Sequence, residues 1–472
     1  MIAIRGSLLA IQPPVTALCI NALVLCAGTM ALAAPGIAAV HDDGVPISAV
    51  APADTAATSA GAPANVQPNA TLVGTQVFND RRNPPSYRKL SEGEFARYDL
   101  GMAVFNTQFV PAGTPNAGRR AGVGPLFNSA SCDSCHNNGA RGRGPTEDGP
   151  APVPLVIQLA TIPSKNPTDP EGDPAYGRVF NTIGLAGVPP EGVATIRYEE
   201  TSGLYPDGSA WHLRVPHYTL NQLRYGPLSP RTIVKPRLAP ALFGSGLLDA
   251  AIVDRDSGGV HGRFGWQATA ISVRDQTARA FAREMGLTSA DMKNDDCTPT
   301  ETACVQQAGG RSPEVSDDIF NAVLSFQRWL AVPASPIAHA TSDPAAETFV
   351  QLGCATCHQP LLPVALADAA GNDVAAVIAP YTDLRVHDLG SRLADETVSG
   401  KKVRSKWRTA PLWGLGYRMS LERFPTFLHD GRARSAEEAI LWHDGEAAGA
   451  RNRFTQLPVA QRKAFLRWIE TL

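Results

Sequence analysis

The sequence is poor in charge, modest in aromatics, and lacks a second long apolar run. Charged residues are 18% of its 472 and nearly cancel, for a formal net charge of −2. That leaves no strongly basic face, so no nucleic-acid partner is expected. Aromatics are 7%, while 42 Gly and 39 Pro fill the chain with turns, which favours helices carrying large loops over a tidy bundle. Beyond residue 34 no stretch is long and apolar enough to be a second membrane span. The length allows two or three domains with real cores.

The one long uncharged stretch is N-terminal. Arg5 gives a positive end, Val15 to Ala34 carries no charge, and Ala31-Leu32-Ala33 offers a small-x-small cleavage pattern. Residues 1–34 are therefore expected to be a signal peptide and the protein periplasmic, with an uncleaved anchor as the alternative. Residues 35–80, rich in Ala, Pro, Thr and Asp, predict a flexible leader.

Cysteine use agrees with export. Cys19 and Cys26 lie in the targeting segment, and Cys297 and Cys304 share a polar loop where they can close a disulfide in an oxidising compartment. The other four form two runs, Cys132-Asp133-Ser134-Cys135-His136 and Cys354-Ala355-Thr356-Cys357-His358. Cys-x-x-Cys-His is the attachment signature of a c-type haem: the thiols each bond one vinyl group, and His136 or His358 binds the iron axially. Two covalently bound haems are the expected cofactors. A zinc site built from four cysteines fits less well, because each distant pair has its own appended histidine.

Ser435 and Glu438 form a capping-box pattern, so a helix should start there. Ala436, Ala439, Ile440 and His443 then fall on one buried face, which makes His443 the candidate second axial ligand of the C-terminal haem. Arg141 and Arg143, in a glycine-rich turn after the first motif, are candidates to pair with haem propionates. Alternating runs across 152–226 predict a small β insertion. Ser91 to Phe105 predicts a helix with a broken middle.

A weak repeat relates Lys235–Gly244 to Lys406–Gly414. Each is followed by a Gly-Arg pair, Gly262-Arg263 and Gly431-Arg432, and then a predicted helix. The expected fold is mainly α: two cytochrome c-like haem domains in tandem, 81–335 and 336–472, with long loops and the β insertion in the first. In the first copy the helix is Val273 to Met285, with Gln276 and Glu284 on nearly the same side and no histidine where the second has His443.

The ordered motifs Ser131–His136, Tyr381–Leu384, His387–Gly390, Trp407–Gly414 and Phe427–Arg432 resemble the di-haem oxidoreductase family, whose members are described as peroxidases or thiol oxidoreductases. It is related to bacterial di-haem cytochrome c peroxidases and to a di-haem enzyme that matures a tryptophan-derived cofactor. The resemblance implies peroxide reduction at the N-terminal haem, electrons relayed through the C-terminal haem, and Gln276 and Glu284 as catalytic residues. It implies a small cytochrome or cupredoxin donor, and leaves open a calcium ion between the haems and a homodimer. The tryptophan that relatives place between the haems has no counterpart assigned by sequence. His387 and His429 suit supporting contacts near the second haem. The rival readings are a plain electron-transfer cytochrome and an oxidase acting on a partner protein.

Overall fold

The structure, a computed structural model, describes residues 71–472 apart from 117, 119–121, 165–168, 254–261, 309–312, 335–342, 368–372 and 404–405. The expected signal peptide, most of the leader, and the domain division at 335/336 lie outside the described residues. Among the described residues no helix is long and apolar enough to cross a membrane.

The mainly α expectation is overturned: 29% of the chain is helix and 23% strand, a mixed α/β architecture with several antiparallel sheets. The strands used here are β1 Leu155–Thr161, β2 Val179–Phe180, β3 Val193–Leu204, β4 Ala210–Asn221, β5 Thr232–Leu238, β6 Leu362–Ala367, β7 Asp373–Ile378, β8 Asp395–Thr397, β9 Lys402–Val403 and β10 Lys406–Arg408. Several, such as β1, β2 and β6, are short apolar runs too brief to settle into helices. They form where an extended segment can bury one face. Strands thus also occur well outside the expected insertion.

A five-stranded sheet in the order β9-β8-β5-β1-β2 joins both halves of the sequence. β1 pairs antiparallel with β5 from Thr161↔Thr232 to Leu155↔Leu238, burying Leu155, Ile157 and Leu159. On its other edge β5 takes β8, which follows the second motif. At that seam Arg237 forks onto Asp395 with bonds of 2.9 and 2.7 Å, both side chains buried. The β3–β4 hairpin, drawn from the insertion, leans on the C-terminal helices. Tyr205 near its tip donates to Glu437 at 2.8 Å, and the Arg214 N–H donates to Glu438 at 2.6 Å.

The helices that matter are α1 Glu92–Phe105, α2 Ser245–Asp249, α3 Val273–Glu284, α4 Asp317–Trp329, α5 Pro344–Gln351, α6 Leu415–Leu421, α7 Ala436–Trp442 and α8 Val459–Ile469. α1 is continuous rather than broken, held at its start by a Ser91–Glu94 capping box. Its Gly101 serves packing: a Cβ there would lie 2.0 Å from the Ala322 carbonyl oxygen of α4. Two aromatic-rich cores result. One includes Phe105, Phe281, Phe320 and Phe326; the other includes Phe349, Trp407, Phe465 and Trp468. Cys297 and Cys304 are disulfide-bonded.

Candidate haem site

Each Cys-x-x-Cys-His run folds as one turn, with the His136 N–H donating to Cys132 O and the His358 N–H to Cys354 O, both at 2.9 Å. Such a turn puts residues i, i+3 and i+4 on one side. Each motif also rests on its own core: the Phe105 and His136 ring centroids are 6.5 Å apart, as are those of Phe349 and His358.

The imidazoles are oriented for metal binding. His136 Nδ1 lies 2.7 Å from Pro240 O, His358 Nδ1 3.0 Å from Tyr381 O, and His443 Nδ1 2.8 Å from Ala439 O. A carbonyl only accepts, so each Nδ1 must carry the proton, and Nε2 is left with its lone pair. Burial lowers the pKa of His136 and of His358 to about 4, which keeps both rings neutral. One cavity of about 620 Å³ is lined by all three histidines and by Cys132, Cys135, Cys354 and Cys357. Fixed lone pairs and free thiols on a shared cavity fit haem. His443 caps the C-terminus of α7, on the same cavity as His358.

The structure fixes the register of the internal repeat. Phe264 bridges Ala270 as Phe427 bridges Ala433. Ser272 caps α3 at φ −152°, ψ 167°, and Ser435 caps α7 at φ −151°, ψ 165°. The Gly-Arg pairs are therefore not equivalent: Ala268 (φ 52°) stands where Gly431 (φ 78°) does, and Trp266 stands where His429 does. The copies interlock through these loops. The Leu238 N–H donates to His429 O at 2.7 Å, and the Arg408 N–H to Trp266 O at 2.9 Å.

Gln276, Ala280 and Glu284 recur every four residues on α3 and all line the cavity. Glu284 Oε2 is buried without a donor. Burial pushes this carboxyl up to about 7, against the pull of Arg283. An uncompensated buried carboxylate oxygen favours the protonated form.

Arg141 and Arg143 part company. Arg143 is exposed, whereas Arg141 lines the cavity over the Trp266 ring at 5.0 Å, with Nε unpartnered. Burial lowers its pKa to about 9, so a carboxylate from a bound haem would suit it. Lys235 also lines the cavity, lowered by burial to about 8.

His429 stacks on Trp407, ring centroids 3.8 Å apart. His387 is gripped on both nitrogens, Nε2 by Asp383 and Nδ1 by Glu446, each at 2.8 Å. Two acceptors require two N–H groups, so this ring is an imidazolium. Its pKa is lifted to about 11, first by the Asp383 bond. Cys357, Asp383 and His387 are close enough to hold an ion, but Cys357 belongs to the haem motif and His387 already serves two carboxylates.

Sequence reasoning missed Trp266, which lines the cavity with its Nε1–H donating to Leu238 O at 2.7 Å. Aligning Phe264–Ser272 with Phe427–Ser435 would have found it.

Two fixed imidazole turns on one cavity define a protein built to hold a pair of haems. The chain belongs to the family described as "Di-haem oxidoreductase, putative peroxidase", whose sequence model matches residues 68–152 and 252–472. No curated protein matches the chain. Among solved structures, hydrazine synthase from Kuenenia stuttgartiensis, pressurised with xenon at 20 bar, is 13% identical with a TM-score of 0.34. That alignment covers 87% of this chain and 99% of the other, a likeness too distant to define a shared fold.

Proposed function

We propose that the protein is an exported, periplasmic di-haem c-type oxidoreductase that reduces hydrogen peroxide at its N-terminal centre. Cys132, Cys135 and His136 hold that centre. Cys354, Cys357, His358 and His443 hold the other, which takes electrons from a small cytochrome or cupredoxin. The observation that carries this reading is the donorless, buried Oε2 of Glu284 on the same cavity as His136.

Bound haem supplies the redox chemistry, in which peroxide, two electrons and two protons give two waters. The chain's own residues handle protons and access. Glu284 takes a proton from one peroxide oxygen and returns it to the other as the O–O bond breaks, a role suited to a carboxyl group poised near neutrality. Gln276, two turns away on the same face, offers an amide to orient the substrate. Ala280 between them carries no ligating atom, so it would not compete with substrate for a haem held at His136, whereas His443 would serve as a ligand to a haem held at His358. Calcium between the centres and a homodimer rest on the family resemblance alone.

Steady-state peroxide turnover with a reduced donor protein tests this reading. Wild type should consume peroxide, and Glu284→Gln should lose most of that activity. Unchanged turnover in the variant removes Glu284 from the mechanism.

A further inference from the structure

We propose that His387 is a positioning residue for the C-terminal centre. Its ring ties the segment that orients His358 to the segment that follows His443, so both imidazoles are set from one point. The inference rests on the reading of His443 as a ligand of that centre.

On the His358 side, Tyr381 O accepts from His358 Nδ1 at 3.0 Å. Thr382 anchors that carbonyl, its N–H donating to Gln359 O at 3.0 Å and its hydroxyl to Thr409 O at 2.6 Å. Tyr381 (φ 54°) and Leu384 (φ 57°) hold left-handed backbone although neither is glycine, a conformation that persists only where the surroundings impose it. Between them, Asp383 Oδ2 accepts from His387 Nε2 at 2.8 Å. His387 stands on a short strand, Val386–Asp388, paired antiparallel with β10 and directly opposite Trp407. Its backbone is therefore fixed independently of either partner.

On the other side, α7 ends at His443, where the backbone turns extended (φ −61°, ψ 133°). The chain leaving it lies tight against Asp388–Gly390. A Cβ on Gly445 (φ 54°) would lie 2.4 Å from Asp388 O, and one on Gly390 3.1 Å from Asp444 Cβ. Glu446 closes this contact with both oxygens: Oε1 accepts from the Asp388 N–H at 2.9 Å and Oε2 from His387 Nδ1 at 2.8 Å. Arg451 completes the hold, donating to His443 O at 2.9 Å and to Asp444 at 3.1 Å.

Glu446 is exposed, and an exposed ion pair contributes little to stability. What the bond fixes is direction. Without it the fold keeps its cores, while the turn after His443 is free to move and the ring of His443 with it.

Low-temperature paramagnetic resonance of the haem-loaded protein tests this apart from turnover, on His387→Ala, Glu446→Ala and His443→Ala. In a low-spin ferric haem with two imidazole ligands, the largest g value follows the angle between the ring planes. His443→Ala should abolish the low-spin signal of the C-terminal centre. His387→Ala and Glu446→Ala should shift its largest g value and pass part of its intensity to high-spin, with circular dichroism still that of the folded protein. Glu446→Ala, at an exposed position, decides the matter should His387→Ala fail to fold. An unchanged low-spin signal in Glu446→Ala, beside its loss in His443→Ala, overturns the proposal and leaves ligation by His443 standing. A low-spin signal that survives His443→Ala overturns the ligation and the proposal together.

Discussion

Ala280 occupies in the N-terminal copy the place that His443 holds in the C-terminal one. Each lies eight residues beyond a serine that caps its helix with the same backbone geometry, Ser272 and Ser435, and both line the cavity. A methyl group offers iron no electron pair, whereas an imidazole with Nδ1 already committed to Ala439 O offers one. On the proposed reading, the two centres differ through this pair.

Ala280→His should place an imidazole over the N-terminal iron. Paramagnetic resonance should show the high-spin ferric signal replaced by a second low-spin species, with peroxide turnover lost alongside it. A surviving high-spin signal in a folded variant would mean that Ala280 and His443 are not equivalent positions.

His443→Ala makes the opposite change. The C-terminal iron should lose its second ligand, so high-spin intensity should rise to about that of two centres. Its potential should also rise, because a neutral imidazole favours ferric iron. Spectroelectrochemistry resolves both effects.

Glu284→Gln should lower peroxide turnover by about 10²- to 10⁴-fold. With the carboxyl raised to about 7, wild-type kcat/KM should climb through neutral pH as the base ionises, and the variant should lack that limb. The stability sign runs the other way. A group raised above its unfolded value stabilises the fold below that value and loses the contribution as pH passes the folded one. Wild type should therefore lose stability relative to Glu284→Gln between the ordinary glutamate value of 4.5 and about 7.

Asp395→Asn should destabilise the protein by about 3–5 kcal/mol, because it strands the buried Arg237 guanidinium at the seam between β5 and β8. Chemical denaturation measures this. A loss below about 1 kcal/mol would show that the pair does not hold the two halves together.

The two haem motifs were legible because attachment chemistry needs its three residues side by side, where sequence shows them directly. The place of His443 on the cavity was legible through the Ser435 cap and the apolar face beneath it. The strands were not. β6 and β7 are short apolar runs whose register is set by partners, each other and a segment near residue 71, and no local pattern announces such pairing. Trp266 was hidden for a related reason: Gly262-Arg263 is a decoy for Gly431-Arg432, and the true equivalent of Gly431 is Ala268, an alanine held at positive φ by its surroundings.

The most direct test of two unequal irons is a haem count by pyridine haemochrome, taken on the same sample as low-temperature paramagnetic resonance. Two haems per chain are predicted, one ferric iron high-spin and the other low-spin. One haem per chain, or two low-spin irons with no high-spin signal at any potential, contradicts the account.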